Sequence, residues 1–370
     1  MATALIQPAT DSASLSGAAP IRAALIAGAA AGVLLSCAIV APTAALAKPA
    51  HYKVTNIQNK QKDYLFPLYI DANGLVTGDV YTTNQDQILG TFQSEKGYFD
   101  EVTSCGSADD DIVITTAVDS LDDEVGACGS NNFIRLASNG VFTPFLVNGT
   151  QGTITGITAG ADILTGTYYV YNGTTEQAHG FLGQIGHFLT IDPPGSVNTY
   201  PTAISPGGKV TGMFYNAANV IQAFTLIDGV YNIFSPAGWF EPYPAAINDA
   251  GQVAGAFSLG PDQVSYGFAY QAGSAPIILA PAGTNGVGLY GINSVGQITG
   301  YNVDSNLVSH GVMWAPWTGS GNLFTFEGPA GSQFITGYAI NDNAQIAGLY
   351  LNAKSVWTLF SATCVGITCQ

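Results

Sequence analysis

One turn motif recurs along most of this chain and limits its possible folds more than any other feature. The motif is an apolar residue, a short turn and then Gly-x-apolar-x-Gly, as in the copy that runs from Ile247 to Gly255. The first residue of each copy is called its anchor, and the seven anchors are Ile70, Val118, Ile157, Ile204, Ile247, Ile292 and Ile340. The copies that start at Val118 and Ile157 are one residue longer than the others. The anchors are spaced by about 45 residues on average, a length typical of β-propeller blades.

Each repeat is interpreted as four short strands, and the fifth repeat shows the pattern most clearly. Residues 245–247 end one strand at the anchor, 248–251 form a tight turn rich in Asn, Asp and Gly, and 252–257 form the partner strand. A third strand has a small residue followed by an aromatic, Gly267-Phe268, and the fourth stops at a Pro-x-Gly break, 281–283. One such unit cannot bury both of its faces alone. We therefore predict an all-β propeller of about seven four-stranded blades, with a β-solenoid or tandem sandwiches as the alternative.

The two ends of the repeat region predict how the ring closes. Residues 52–57 precede the first anchor and have no repeat of their own, whereas the seventh repeat has no apparent fourth strand after 356–360. We predict that 52–57 completes the seventh blade beside 356–360. Residues 86–150 depart from the pattern, so the number of blades there is left open.

The repeats resemble the HAF family of bacterial extracellular repeat proteins, named for a His-Ala-Phe step. The resemblance rests on the Ile-Asn-x-x-Gly-Gln-Ile/Val-x-Gly phrase within 246–255, 291–300 and 339–348, and on the steps at His179 and His310. It covers about 150–360 well and 50–150 poorly. It implies an exported, propeller-like repeat protein of undefined molecular role, and it brings no catalytic residues.

Residues 1–47 have the order of a secretory signal peptide. Arg22 precedes an uncharged stretch, 23–40, and small residues at Ala45 and Ala47 fit a cleavage site. We expect a mature domain, 48–370, that is secreted, periplasmic or on the cell surface. A lipoprotein acylated at Cys37 and an uncleaved N-terminal membrane anchor are the alternatives.

The cysteines that follow residue 47 predict disulfides. They are four in number, and an oxidising compartment would pair them. Proximity in sequence favours Cys105 with Cys128 and Cys364 with Cys369. The spacings do not match a zinc site.

Charge and missing motifs exclude several classes of function. Lys and Arg number 9 against 25 Asp and Glu, and the net charge of −16 would repel nucleic acid. No Gly-rich phosphate-binding loop is present, so we expect no nucleotide cofactor. No histidine spacing predicts a metal, and no nucleophile elbow is present. His179 and His310 occupy equivalent repeat positions, which favours a packing role over catalysis.

Acidic residues are concentrated between positions 100 and 124. Carboxylate oxygens at such a density could form a calcium site, although a solvated loop is the favoured explanation. The proposed calcium ligands are Asp109, Asp110, Asp111, Asp119, Asp122, Asp123 and Glu124. We expect no other cofactor.

The residue after each anchor is a second candidate, because a propeller would place these turns on one face around its axis. The set comprises Asp71, Asp119, Ser205, Asn248, Asn293 and Asn341. Such a ring could bind a sugar or an ion, but bonding within each turn explains the same residues and is favoured. Aromatic residues such as Trp239, Phe240 and Tyr243 could stack on sugar rings, although packing inside or between blades is favoured.

These observations lead to a functional prediction. We expect an exported, non-enzymatic ligand-binding or surface-interaction module whose unknown extracellular ligand is a glycan or a surface protein. The alternative is a secreted carbohydrate-active enzyme, a hydrolase or lyase, that uses carboxylates on one propeller face. No catalytic residue is assigned from the sequence.

Overall fold

The computed structural model describes most of the chain beyond residue 51. The described residues are 52–57, 64–81, 88–95, 98–99, 113–121, 123–128, 131–136, 138, 140–236, 238–259, 264–281, 283–317 and 321–365. The predicted signal peptide lies outside them. One short 3₁₀ turn, Ala159–Ala161, is the only helical element among the described residues.

Seven four-stranded antiparallel sheets form a β-propeller, which confirms the predicted fold and the number of blades. Strand β1 (Tyr52–Asn56) comes first in the chain. Blade 1 consists of β2 (Tyr64–Ile70), β3 (Val76–Tyr81), β4 (Ile88–Glu95) and β5 (Tyr98–Phe99). Blade 2 consists of β6 (Val113–Val118), β7 (Glu124–Cys128), β8 (Asn131–Arg135) and β9 (Phe142–Phe145). Blade 3 consists of β10 (Thr153–Ile157), β11 (Leu164–Tyr171), β12 (Glu176–Gln184) and β13 (His187–Ile191).

The later blades follow the same order. Blade 4 consists of β14 (Ser196–Ile204), β15 (Val210–Asn216), β16 (Ile221–Ile227) and β17 (Val230–Ile233). Blade 5 consists of β18 (Trp239–Ile247), β19 (Gln252–Leu259), β20 (Ser265–Gln271) and β21 (Ile277–Leu279). Blade 6 consists of β22 (Gly286–Ile292), β23 (Ile298–Val303), β24 (Ser309–Trp314) and β25 (Leu323–Phe326). Blade 7 consists of β26 (Phe334–Ile340), β27 (Ile346–Leu351), β28 (Trp357–Cys364) and the N-terminal strand β1.

The ring closes as predicted, because β1 pairs with β28 as the outermost strand of blade 7. Val54 lies opposite Ala362, and Asn56 lies opposite Phe360. Strand β28 extends four residues beyond the predicted 356–360, and this extension provides most of the pairing surface for β1.

The first strand of each blade lies nearest the axis. Each of these strands contacts the first strands of both neighbouring blades, and the contacts run without a break around the ring. The anchor turns, which join first to second strands, therefore share one end of the ring, here called the anchor face. The turns between second and third strands lie at the opposite end, the far face.

Packing within a blade explains the two glycines of the motif. Gly251 ends the turn, immediately before the strand, at a φ of 75°, a conformation that glycine adopts without steric cost. The second glycine, such as Gly348, lies opposite an aromatic residue of the third strand, here the fully buried Phe360. A Cβ atom on Gly348 would collide with the Phe360 ring and with the carbonyl oxygen of Thr336. The motif is thus fixed by close packing of three adjacent strands.

We predict that Gly348→Ala lowers the free energy of unfolding by about 3 kcal/mol, because the added methyl group must displace backbone and ring together. The matched control is Gly286→Ala, since a Cβ atom there meets no atom within 4 Å. This control should change stability by no more than about 1 kcal/mol. Urea denaturation of both variants measures the difference, and equal losses would contradict the packing argument.

Candidate functional site

The residues that follow the anchors are buried in their own turns. Asp71, Asp119, Ser205, Asn248, Asn293 and Asn341 are all buried. The Oδ1 atom of Asn248 accepts hydrogen bonds from the backbone N–H groups of Ala250, at 3.1 Å, and Gln252, at 3.0 Å. These are the bonds that the favoured interpretation, bonding within each turn, expects. Binding of a sugar or an ion by this ring stays a prediction.

The same side chains also join one blade to the next. The Nδ2 group of Asn248 donates to the carbonyl oxygen of Asn293, at 3.0 Å, and Asn293 donates in the same way to Asn341. Asn341 donates to the carbonyl oxygen of Asp71, at 2.6 Å, and so connects the last blade to the first. These bonds form a continuous link through blades 5, 6, 7 and 1 on the anchor face.

Only some of the predicted calcium ligands are among the residues that the structure describes. Asp109, Asp110, Asp111 and Asp122 lie outside the described residues. Asp119 accepts hydrogen bonds from its own turn and from the N–H of Gly160 in the next blade, at 2.8 Å. Among the residues that the structure describes, no group of three or more His, Cys, Asp or Glu side chains is placed to hold a metal. A calcium site stays a prediction.

Glu124 occupies a position that six other blades fill with an aliphatic residue. It lies on the second strand opposite the anchor Val118, and it is fully buried. The equivalent residues, each fully buried, are Val76, Leu164, Val210, Val253, Ile298 and Ile346. A carboxyl group in this apolar position needs partners, because burying an unpaired charge is strongly unfavourable.

Glu124 has those partners in its own blade, and one of them links it to a second carboxyl group across the seam between blades 1 and 2. Its Oε1 atom lies 2.7 Å from Nη1 of Arg135. Its Oε2 atom accepts a hydrogen bond from Oγ1 of Thr115 at 3.3 Å. The backbone N–H of Thr115 donates to Oδ1 of Asp79, on β3 of blade 1, at 3.2 Å. One threonine therefore contacts both carboxyl groups, which we call the acid pair.

The two members of the acid pair differ in their surroundings. Burial raises the pKa of Asp79 well above its ordinary value, the hydrogen bond from Thr115 opposes this, and the negative charge of Glu124 adds to the rise. Asp79 therefore keeps its proton at a pH where an exposed aspartate has lost it. Arg135 stabilises the charged form of Glu124. Asp79 was not among the residues selected from the sequence, although a charged residue inside a second strand of the repeat was a visible departure from the pattern.

Tyrosines on the first and second strands of several blades lie close together. Tyr338 stacks on Tyr290 of the neighbouring blade, with ring centroids 4.9 Å apart, and packs against Phe66 at 4.7 Å. Burial and then the neighbouring Tyr301 and Tyr338 raise the pKa of Tyr290, which is hydrogen-bonded to Tyr301. The set, here called the tyrosine cluster, comprises Tyr64, Phe66, Tyr81, Tyr243, Tyr290, Tyr301 and Tyr338. Its members are half-buried and belong to blades 5, 6, 7 and 1.

The tyrosine cluster reaches the acid pair through Tyr81. Tyr81 packs against Tyr64 with ring centroids 5.8 Å apart. Burial, and then the nearby charge of Asp79, raise the pKa of Tyr81. Tyr64 in turn lies close enough to Tyr338 for that residue to raise its pKa after the larger effect of burial. A set of aromatic rings therefore connects the innermost strands to Asp79.

The two histidines at equivalent repeat positions each contact a carboxylate that follows the fourth strand of the same blade. Nδ1 of His179 lies 2.8 Å from Oδ2 of Asp192, and Nδ1 of His310 lies 2.6 Å from Oε1 of Glu327. Nε2 of His310 also lies 3.4 Å from Asp304. Burial alone lowers the pKa of His310, but Glu327 and then Asp304 raise it overall. These contacts recur with the repeat, in keeping with a structural role.

The structure gives partial information on the remaining sequence predictions. Cys364 is disulfide-bonded. The structure does not describe Cys105, Cys369 or the side chain of Cys128. Both predicted pairings therefore stay predictions. Within the described part of the chain, no helix has the length and apolarity needed to cross a membrane.

Comparison with known proteins identifies the fold of this chain but not its family. No protein-family model and no curated protein matches the chain, so the resemblance to HAF repeats stays a prediction. Solved structures do match. The chain shares its fold with propellers of peptidases.

Three of these structures have the following similarity. The β-propeller domain of the Trilobed protease from Pyrococcus furiosus is 10% identical with a TM-score of 0.53, and the match covers 81% of this chain and 95% of that one. The acylaminoacyl peptidase of Pyrococcus horikoshii is 9% identical with a TM-score of 0.56, over 83% of this chain and 52% of that one. A prolyl endopeptidase structure is 10% identical with a TM-score of 0.52, over 81% and 50%. This chain thus spans about half the length of the last two enzymes.

These comparisons correct the main functional prediction. A non-enzymatic binding or surface-interaction module was expected, and this expectation is wrong, because the similar propellers belong to hydrolytic enzymes. The error arose because the repeat motifs are structural and show no catalytic pattern along the sequence. The enzymatic alternative is the one that these structures favour, while identities near 10% establish the fold alone.

We predict that Asn341→Ala destabilises the ring more than Asn352→Ala does. The Oδ1 atoms of both asparagines accept hydrogen bonds from backbone N–H groups of their own turns. Of the two, only Asn341 also donates a hydrogen bond to another blade, at the carbonyl oxygen of Asp71. The difference in free energy of unfolding should be about 1–2 kcal/mol, the cost of leaving a buried carbonyl group without its donor. Equal losses in chemical denaturation would show that the bond between blades adds nothing.

We also predict that the stability of the protein falls as the pH rises above about 4, because Asp79 has a higher pKa in the folded than in the unfolded chain. Its contribution is complete below the unfolded pKa and is lost as the pH rises through the folded pKa. Asp79→Asn should remove this part of the pH dependence in urea denaturation between pH 4 and 8. The control Asp228→Asn, at an exposed turn, should keep it. A wild-type pH profile in Asp79→Asn would contradict the assignment.

Proposed function

We propose that this chain is an exported hydrolase in which the tyrosine cluster binds the substrate and the acid pair supplies acid–base chemistry. The observation that carries the proposal is the pair of buried carboxyl groups, Asp79 and Glu124, that Thr115 links, with one favoured as the acid and the other as the carboxylate. The fold shared with propellers of peptidases supports the hydrolytic class.

Hydrolysis of a glycosidic or peptide bond needs a group that protonates the departing atom and a group that accepts a proton from water. Environments that push two carboxyl groups toward different protonation states divide these roles between them. Asp79 holds its proton because it is buried beside another acid. Arg135, at 2.7 Å, stabilises the carboxylate form of Glu124. Asp79 is therefore the general acid in this proposal, and the fully buried Glu124 is a positioning residue that helps to keep Asp79 protonated.

The tyrosine cluster is the surface that holds the substrate next to Asp79. Its rings offer large apolar faces and hydroxyl groups, which suit substrates that have both apolar and polar edges. Tyr81 lies between Asp79 and the rest of the cluster, so it positions the substrate relative to the acid. The signal-peptide pattern in residues 1–47 supports action outside the cytoplasm.

The test is hydrolysis by the purified full chain of dye-labelled polysaccharides, chromogenic glycosides and fluorogenic peptides. At least one class should be cleaved. Asp79→Asn should lower kcat by about 100-fold with little change in KM, since it removes a proton donor and keeps the side-chain shape. Tyr338→Ala should raise KM. Tyr171→Ala, at a tyrosine that is 68% exposed in blade 3, is the matched control and should leave both constants unchanged.

Two results would overturn this proposal. One is a folded wild-type chain that cleaves none of the three substrate classes. The other is an Asp79→Asn variant that folds and keeps the wild-type kcat.

A further inference from the structure

A pocket of about 340 Å³ lies between blades 4 and 5 on the far face. It is lined by the turn between β15 and β16 and by the start of β18. Its lining residues include Tyr215, Asn219, Val220, Trp239, Phe240 and Glu241. Its volume lies at the lower end of the range for small-molecule sites, and its lining is more apolar than polar.

The walls of the pocket are held in place before any ligand binds. On one side, Oδ1 of Asn216 accepts hydrogen bonds from the N–H groups of Ala218 and Val220, both at 3.0 Å, which fixes the turn. On the other side, Trp239 stacks on Phe257 with ring centroids 3.9 Å apart and an angle of 10° between the planes. A preformed pocket loses little conformational entropy when a ligand binds.

The backbone around Glu241 is strained. The pairing of β18 with β19 shifts register between Phe240 and Tyr243, which marks a bulge. Glu241 lies in this bulge at a φ of 48°, although a side chain other than glycine costs about 1 kcal/mol or more in this region. Bulges near functional sites redirect side chains, and strained residues collect at such sites. Here the bulge places the exposed Glu241 in the wall of the pocket beside Phe240.

We propose that this pocket is a subsite for one or two sugar rings of a neutral saccharide, an assignment that rests on the proposed function and names its substrate class. The face of a sugar ring that carries C–H groups would pack on Phe240, which is 45% exposed. Its hydroxyl groups would donate to the carboxylate of Glu241 and exchange hydrogen bonds with the amide of Asn219.

The charge of the chain and the position of the pocket narrow the choice of ligand. A net charge of −16 and the carboxylate of Glu241 disfavour an acidic saccharide. Tyr243, which belongs to the tyrosine cluster, lies two residues beyond Glu241 on the same strand. A longer saccharide would therefore extend along β18 from the pocket toward the tyrosine cluster.

The experiment is isothermal titration of the purified full chain with three neutral tetrasaccharides, built from glucose, mannose and N-acetylglucosamine, and with a neutral tetrapeptide containing proline and tyrosine. At least one saccharide should bind. Phe240→Leu keeps an apolar side chain without the ring, and it should weaken that binding by about tenfold or more. Glu241→Gly removes the carboxylate but fits the positive φ, so the variant should bind at least about tenfold more weakly while remaining as stable as wild type. Leu189→Ala, at an exposed site in blade 3, is the control and should bind as wild type does.

Each outcome decides between the two proposals. Binding that is lost in both pocket variants supports the subsite, even if the chain cleaves no substrate, in which case only the proposed hydrolytic function fails. The subsite is overturned if no saccharide binds, if only the peptide binds, or if both pocket variants bind as wild type does. Cleavage of a substrate with no effect of Phe240→Leu on its KM would leave the hydrolase and remove the subsite.

Discussion

The close approach of three strands at one glycine is the constraint on which the rest of the structure depends. At Gly348 a carbonyl oxygen of the first strand and the Phe360 ring of the third strand occupy the space that a side chain would need. The same pairing of a glycine with a buried phenylalanine occurs at Gly78, Gly212 and Gly255. Neighbouring blades then pack through apolar side chains, as Leu65 and Val80 of blade 1 do with Leu349 of blade 7. Burying these seams removes apolar surface from water around the whole ring.

The seam between blades 1 and 2 departs from this uniform packing. Glu124 replaces a buried aliphatic residue there, and it brings with it Arg135 and Thr115 as partners and Asp79 as a facing acid. A polar cluster of this kind stabilises the fold less than an apolar seam of the same size would, because the charged groups of Glu124 and Arg135 lose their hydration on burial. This polar cluster lies next to the stretch where the repeat is least regular. It therefore differs from the apolar packing that the described blades share.

The sequence predicted the parts of the structure that depend on local spacing. The anchor turns, the number of blades and the pairing of β1 with β28 all follow from residues whose order within a repeat fixes their position. The acid pair does not follow in this way, because Asp79 and Glu124 belong to different repeats and meet only when two blades pack with a definite register. The tyrosine cluster was missed for the same reason. His179 and His310 were recognised as equivalent, but their carboxylate partners, Asp192 and Glu327, lie 13 and 17 residues further along the chain.

The pairing of β1 with β28 also has a consequence for how the protein folds. Tyr52 lies opposite Cys364, so the strand that is made first finds its partner only after nearly all of the other strands exist. Contacts between residues this far apart in the chain form slowly, because a long loop has to close before they are made. Until then, β28 presents an open strand edge, which can pair with the β1 strand of another copy. Such an exchange needs two chains to meet, so a higher concentration of newly made chains favours it over closure of each ring on itself.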